Sequence, residues 1–191
     1  MKPLQAIAFG VLLLALDTTS PDPGAFDPLP DPLGWLFLLL GLFGLTRAGD
    51  VLEPGRRGVL RVLGVLALVI SVVLAVPDAA RWLADQDEPA LGWAVDLPRF
   101  AFLLLLCEQL GRRAHTASAR LAATTFGLLT AAFALVLLAP PLAFGAGLTG
   151  VGQAGQATAQ AAQLALVVTC LALGGRRWAG APDPSDATGP R

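Results

Sequence analysis

From Leu121 to Gly175, 55 consecutive residues include no Asp, Glu, Lys, Arg or His. A soluble domain is about one quarter charged, whereas this chain of 191 residues is 14% charged and 55% hydrophobic, with a mean hydropathy of +0.67. A surface that poor in charge suits a bilayer. In hydrocarbon the backbone must satisfy its own hydrogen bonds, and a helix does so within one segment. The expected fold class is therefore all-α, a polytopic membrane helix bundle.

A helix needs about 20 apolar residues to cross roughly 30 Å of hydrocarbon. Six segments approach that pattern: Leu4–Leu16, Leu33–Leu45, Val59–Val76, Leu91–Leu110, Leu121–Leu138 and Ala157–Leu173. They predict six transmembrane helices in three hairpins, the first two helices being short. Asp31-Pro32 reads as an N-cap followed by proline at the first helical position. Gly55, Pro77, Gly111 and Pro140-Pro141 are expected to open or close other helices. Lys2 and the apolar run Ala6–Leu16 have the look of a signal peptide. Asp17-Thr18-Thr19 offers no small-residue cleavage site, so the segment is expected to remain as the first span. The expected organisation is one six-span membrane domain over residues 1–178 and a disordered cytoplasmic tail over 179–191, which is rich in Pro, Gly and Asp.

Basic residues set the orientation. Lys2, Arg47, Arg56, Arg57, Arg61, Arg112, Arg113, Arg120, Arg176, Arg177 and Arg191 would share one side in a six-span arrangement, which is 11 of the 13 basic residues. The other side keeps Arg81 and Arg99 with nine of the fourteen acids. Both termini are then cytoplasmic. Arg outnumbers Lys twelve to one, and Ala, Gly and Pro are abundant, as in a GC-rich bacterial genome; the expected location is the bacterial plasma membrane. A net charge of −1 and scattered basic residues exclude nucleic acid as a partner. Cys107 and Cys170 are expected to be buried, reduced thiols near the cytoplasmic side. Trp35, Trp93 and Trp178 read as interfacial anchors.

The first two spans hold 13 residues each, about 20 Å of helix against a core of about 30 Å. The Pro- and Asp-rich connection from Asp17 to Pro32 is then drawn toward membrane depth, where non-helical backbone must pack on protein or line a wet cavity. We expect a polar recess walled by this loop, with Asp17, Asp27 and Asp31 as its acids. The fourth span adds Asp96 and Arg99 around Pro98, which favours a helix start or a kink. An arginine at that depth needs a partner, and Asp96, Asp31 and Asp17 are the candidates. The sixth span adds Gln153, Gln156, Gln160 and Gln163 at a spacing that stacks them on one face. Gln160 and Gln163 are the deeper pair and the expected recess residues. Ala157, Ala161 and Ala165 form a small-residue seam beside them. Helix capping by the acids and interhelical bonding by the glutamines remain alternative roles. An ion pair of Glu108 with Arg112 or Arg113 is also expected. A weak repeat at an offset of 65 aligns Asp31 with Asp96 and Arg47 with Arg112.

Asp17 closing the first span, with Phe26-Asp27-Pro28-Leu29-Pro30-Asp31-Pro32-Leu33-Gly34-Trp35 opening the second, resembles the first hairpin of a group of small bacterial multi-pass membrane proteins. That hairpin reads approximately Asp…Phe-Asp-x-Leu-Pro-Asp-x-Ile/Leu-Gly-Tyr/Trp. The match covers about twenty positions. It implies a membrane fold in which this hairpin matters, and it implies no activity. Pro28 and Pro32 depart from the group's pattern and stiffen the loop.

Several chemistries lack their residues: there is no H-E-x-x-H and no P-loop, no G-x-S-x-G and no C-x-x-C. No enzyme activity, cofactor or metal is expected. Two readings stay open. One is a small carrier or solute-binding membrane protein, with an acidic recess for a cation, a proton, an amine or another polar solute. The other is a structural or accessory subunit packing against a membrane-protein partner, with lipid binding between the two.

Overall fold

Leucine and valine cover the outside of this molecule. Val62, Val65, Val69 and Val72 on one helix, Leu128, Leu135 and Leu142 on another, and Leu164, Val168 and Leu171 on a third are all exposed. An apolar exterior of this extent is unstable in water and is the natural face toward lipid. A computed structural model of the chain describes residues 1–16, 31–48, 52–86, 89–147 and 149–180. Among these residues there are helices and no strands. They are α1 (Pro3–Leu16), α2 (Asp31–Arg47), α3 (Pro54–Leu74), α4 (Pro77–Ala84), α5 (Pro89–Thr116), α6 (Arg120–Gly145) and α7 (Thr149–Leu173), followed by a 3₁₀ turn at Arg177–Ala179.

Four of them, α3, α5, α6 and α7, are long and apolar enough to cross a membrane. With 14 and 17 residues, α1 and α2 reach about 21 and 25 Å. Over the described residues the first pair is thus shorter than the other four helices of the ring.

Several expected helix ends are not ends. Pro98 lies inside α5, and Pro140 and Pro141 lie inside α6, so none of them starts or stops a helix. Gly111 likewise falls inside α5, and α7 begins eight residues before the expected Ala157. In apolar surroundings, ending a helix exposes about four backbone groups at each new end, whereas a proline removes one donor. Carrying on through the proline is the smaller loss. Hydroxyls follow the same logic: Thr125, Thr130, Thr158 and Thr169 each donate to the carbonyl four residues back, at 2.7 to 2.9 Å. The short helix α4, absent from the sequence reading, begins with Pro77 in its first turn and carries a 2.9 Å Arg81–Asp78 ion pair.

The helices close into an antiparallel ring in chain order. Gly10 meets Gly34, and Ile7 meets Gly41, between α1 and α2. Glu53 N donates to Gln109 Oε1 at 3.1 Å between the start of α3 and α5. Gly111 of α5 faces Phe126 of α6, and Gly155 of α7 faces Ala139 of α6. The circuit closes where Gln5 of α1 packs on Gly174 and Lys2 Nζ lies near Gly175. The two described chain ends thus share one end of the bundle with Arg47, Arg56, Arg57, Arg112, Arg113, Arg120 and Arg176. There Glu108 accepts from Arg112 at 2.6 Å and lies 3.6 Å from Arg56. The opposite end is called distal below.

The ring centre is filled by Leu38, Leu42, Phe102, Leu106, Phe126 and Leu166, with the free thiols of Cys107 and Cys170 fully buried among them. Of the three tryptophans expected as interfacial anchors, one is a core residue. Trp35 is 2% exposed and stacks edge-on against Phe102 at 5.4 Å. Trp93 lines an internal cavity, and Trp178 packs edge-on against Phe126. The exposed tryptophan is Trp82 on α4, at 61%.

Candidate functional site

Arg99 lies in the third turn of α5, the helix that starts at Pro89. It lies 13 residues before Arg112, about 20 Å along the helix from the basic end. Leu14 lies 12 residues after Lys2, and Gln163 lies 13 before Arg176; both rises are again about 18 to 20 Å. The three residues stand at one height and meet there. Arg99 Nη2 donates to Leu14 O at 2.7 Å and to Gln163 Oε1 at 2.8 Å.

Leu14 lies in the last described turn of α1, and the guanidinium donates to its carbonyl. Of the three expected carboxylate partners, Asp17 lies outside the described residues, and neither Asp31 nor Asp96 pairs with Arg99. Among the described residues no Asp or Glu oxygen lies within 4 Å of it, and a carbonyl and an amide take that place.

Beside this junction a cavity of about 350 Å³ opens between α5, α6 and α7. Trp93, Asp96, Arg99 and Phe100 line it from α5, Val136, Ala139, Pro140 and Phe144 from α6, and Gln156, Gln160 and Gln163 from α7. Gly152, Gly155 and Ala159 complete the α7 wall, and their small side chains leave the space that the glutamines share. The volume falls within the range of small-molecule sites, about 300 to 1,000 Å³. Gln163 is 2% exposed, whereas Asp96, Gln156 and Gln160 are exposed. The polar lining thus runs from an open rim to a buried floor.

Of the seven expected recess residues, the structure brings together Asp96, Arg99, Gln160 and Gln163. Asp31 stands in the first turn of α2 and is not part of this lining. Asp17 and Asp27, with the loop expected to wall the recess, lie outside the described residues. The cavity is therefore walled by α5, α6 and α7. The seam Ala157, Ala161 and Ala165 points out of the bundle, all three being exposed; the small residues that pack α7 on α6 are instead Gly152, Gly155, Ala159 and Ala162. Sequence reasoning missed Trp93, Phe100 and Phe144 as lining residues. The signal for the first two was available: positions 92, 93, 96, 99 and 100 fall on one face of a 3.6-residue helix.

No three His, Cys, Asp or Glu side chains converge among the described residues. Comparison with protein families, curated proteins and solved structures finds no match, so the functional reading rests on the chain's own residues.

Proposed function

We propose that this chain is a small carrier or solute-binding membrane protein of the bacterial plasma membrane. Six helices cross the bilayer in three hairpins, and both termini are cytoplasmic. The distal end faces outward, and the cavity between α5, α6 and α7 is the binding site, for a cation, an amine or another small polar solute. The observation that carries this reading is that cavity: a carboxylate, a guanidinium and three amides gathered in one space, two of whose three walls, α6 and α7, belong to a stretch with no charge for 55 residues. Polar groups at membrane depth are expensive and tend to mark a functional path.

The basic end supports the orientation, since Lys2, Arg47, Arg56, Arg57, Arg112, Arg113, Arg120 and Arg176 gather there. The short α1 and α2 are flanked in the ring by α7 and α3, which cover part of their surface.

The test is ligand-induced stabilisation of the purified full chain in nanodiscs, screened against small polar solutes. A ligand that binds only the native state stabilises it by about 2.7 kcal/mol at 100 times its dissociation constant. At least one solute should raise the unfolding temperature, and Gln160→Leu should remove that rise while leaving the unliganded protein folded. Absence of any stabilising solute, or a rise unchanged by Gln160→Leu, overturns the assignment. Copurification of a stoichiometric membrane partner alongside that negative result would favour the accessory-subunit reading.

A further inference from the structure

We infer that the cavity takes a zwitterion, a small molecule bearing an ammonium and an anionic oxygen group, oriented with its anionic end on Arg99 and its ammonium at Asp96. The inference rests on the solute-binding reading above and narrows it to a ligand class.

The argument begins with unspent hydrogen-bonding capacity. A guanidinium has five N–H donors. Arg99 uses two of them, both on Nη2, for Leu14 O and Gln163 Oε1. Its Nε is buried with no acceptor among the described residues. Gln163 is 2% exposed, and its oxygen is held by Arg99. Trp93 Nε1 is a second buried donor without an acceptor among the described residues. Buried donors are rarely left unmatched. Two of them from residues lining one cavity ask for a ligand rich in acceptor oxygen.

Charge then decides between ligand classes. Asp96 and Arg99 are three residues apart on α5, so they share a face at roughly 5 to 6 Å between Cβ atoms. No Arg99–Asp96 contact occurs within 4 Å. A simple cation at Asp96 would sit beside an uncompensated guanidinium. A simple anion at Arg99 would sit beside an uncompensated carboxylate. At so short a separation either conflict opposes binding. A ligand with both charges meets both groups, and the sum of ligand and site stays neutral. The polarity of the site follows from the fold, because Asp96 is exposed at the rim and Gln163 is buried at the floor. Phe100 and Phe144 supply apolar wall for the remainder of the molecule and a π face for its ammonium.

Free amino acids and betaines carry this chemistry, and so does a phosphatidylethanolamine headgroup. The experiment separates the two sources. The full chain is reconstituted in nanodiscs of phosphatidylglycerol alone, and the unfolding temperature and dissociation constant are measured with the proteinogenic amino acids and glycine betaine. Each stabilising amino acid is then compared with its decarboxylated amine and its deaminated acid; for leucine these are isopentylamine and 4-methylpentanoate. A parallel set of nanodiscs contains phosphatidylethanolamine and no added solute.

The expected result is that a zwitterion binds at least about tenfold more tightly than either single-charge analogue, and that Asp96→Asn removes the advantage over the deaminated acid. Asp96 is exposed, so this variant keeps the fold; Arg99→Lys, which retains the charge and loses the fork, should weaken the zwitterion and the deaminated acid alike. Stabilisation by phosphatidylethanolamine alone, abolished by Asp96→Asn, also supports the inference and identifies lipid as the source. An amine that binds as tightly as its parent amino acid overturns the zwitterion and leaves the solute-binding reading standing. Failure of every zwitterion, amine, acid and lipid overturns both.

Discussion

Arg99 Nη2 joins two helices that the sequence separates widely, α1 through Leu14 O and α7 through Gln163 Oε1. Gln163 is buried, so removing either it or Arg99 leaves a polar group of the other short of a partner. Gln163→Leu should destabilise the protein by about 1 to 3 kcal/mol, the cost of leaving buried polar groups unsatisfied, measured as a fall in thermal unfolding midpoint by circular dichroism in detergent. Gln153→Leu, on an exposed position outside the cavity lining, should leave the midpoint close to wild type. Equal effects of the two would show that the Arg99 junction carries no special weight. Much of this site was legible. An arginine inside an apolar segment announces a partner, and the 3-4-3 glutamine spacing pointed to the face that supplies one. What local pattern could not give was the identity of the partner, because Leu14 contributes a backbone carbonyl and every residue has one. Which carbonyl faces Arg99 follows from how α1 packs in the ring, which is a property of the element.

The helices α1 and α2 pack at glycine. A Cβ at Gly10 would stand 2.6 Å from Gly34 O and 2.9 Å from Leu38 N, and one at Gly41 would stand 2.8 Å from Pro3 O. Backbone cannot withdraw as a side chain can. Close approach through small residues is how helices associate where lipid removes the hydrophobic drive between them. Gly10→Ala should therefore cost about 1 to 3 kcal/mol, as overpacking does, while Gly127→Ala, with nothing within 4 Å of the added methyl, should gain about 0.5 to 1 kcal/mol from helix propensity. Chemical or thermal unfolding of the two variants in one detergent checks the pair, and a Gly10→Ala midpoint at or above that of Gly127→Ala would refute the packing argument. At this scale, apolar runs located the six helices of the ring, since composition alone distinguishes helix from loop in so apolar a chain. Their ends were poorly legible. Pro98, Pro140 and Gly111 signal breaks in water, where exposed backbone can be solvated; in hydrocarbon the same residues are carried through.

For the whole molecule, the order of elements and the sign of the loops determine more than any single contact. An even number of antiparallel helices returns the chain to its starting end, so Lys2 and Gly175 become neighbours and α7 can close the ring on α1. The hairpin arrangement expected from sequence was partly legible in the same way, but ring closure was not, because it depends on which faces match rather than on how far each helix reaches. The proposed topology makes the distal turns extracytoplasmic and the Thr116–Arg120 turn cytoplasmic. Thiol labelling can decide this, since native Cys107 and Cys170 are fully buried and should stay silent in the folded protein. Asp85→Cys, after α4, and Ala146→Cys, after α6, lie at exposed distal positions, and Ala117→Cys lies at the exposed basic end. A membrane-impermeant maleimide applied to intact cells should modify the first two, and modify Ala117→Cys only after the membrane is opened. The reverse pattern would invert the molecule and place the cavity toward the cytoplasm. Labelling of Asp85→Cys and Ala117→Cys from the same side would mean that α5 does not cross, and since α5 carries both Asp96 and Arg99, the recess would then have no membrane depth to explain its charges.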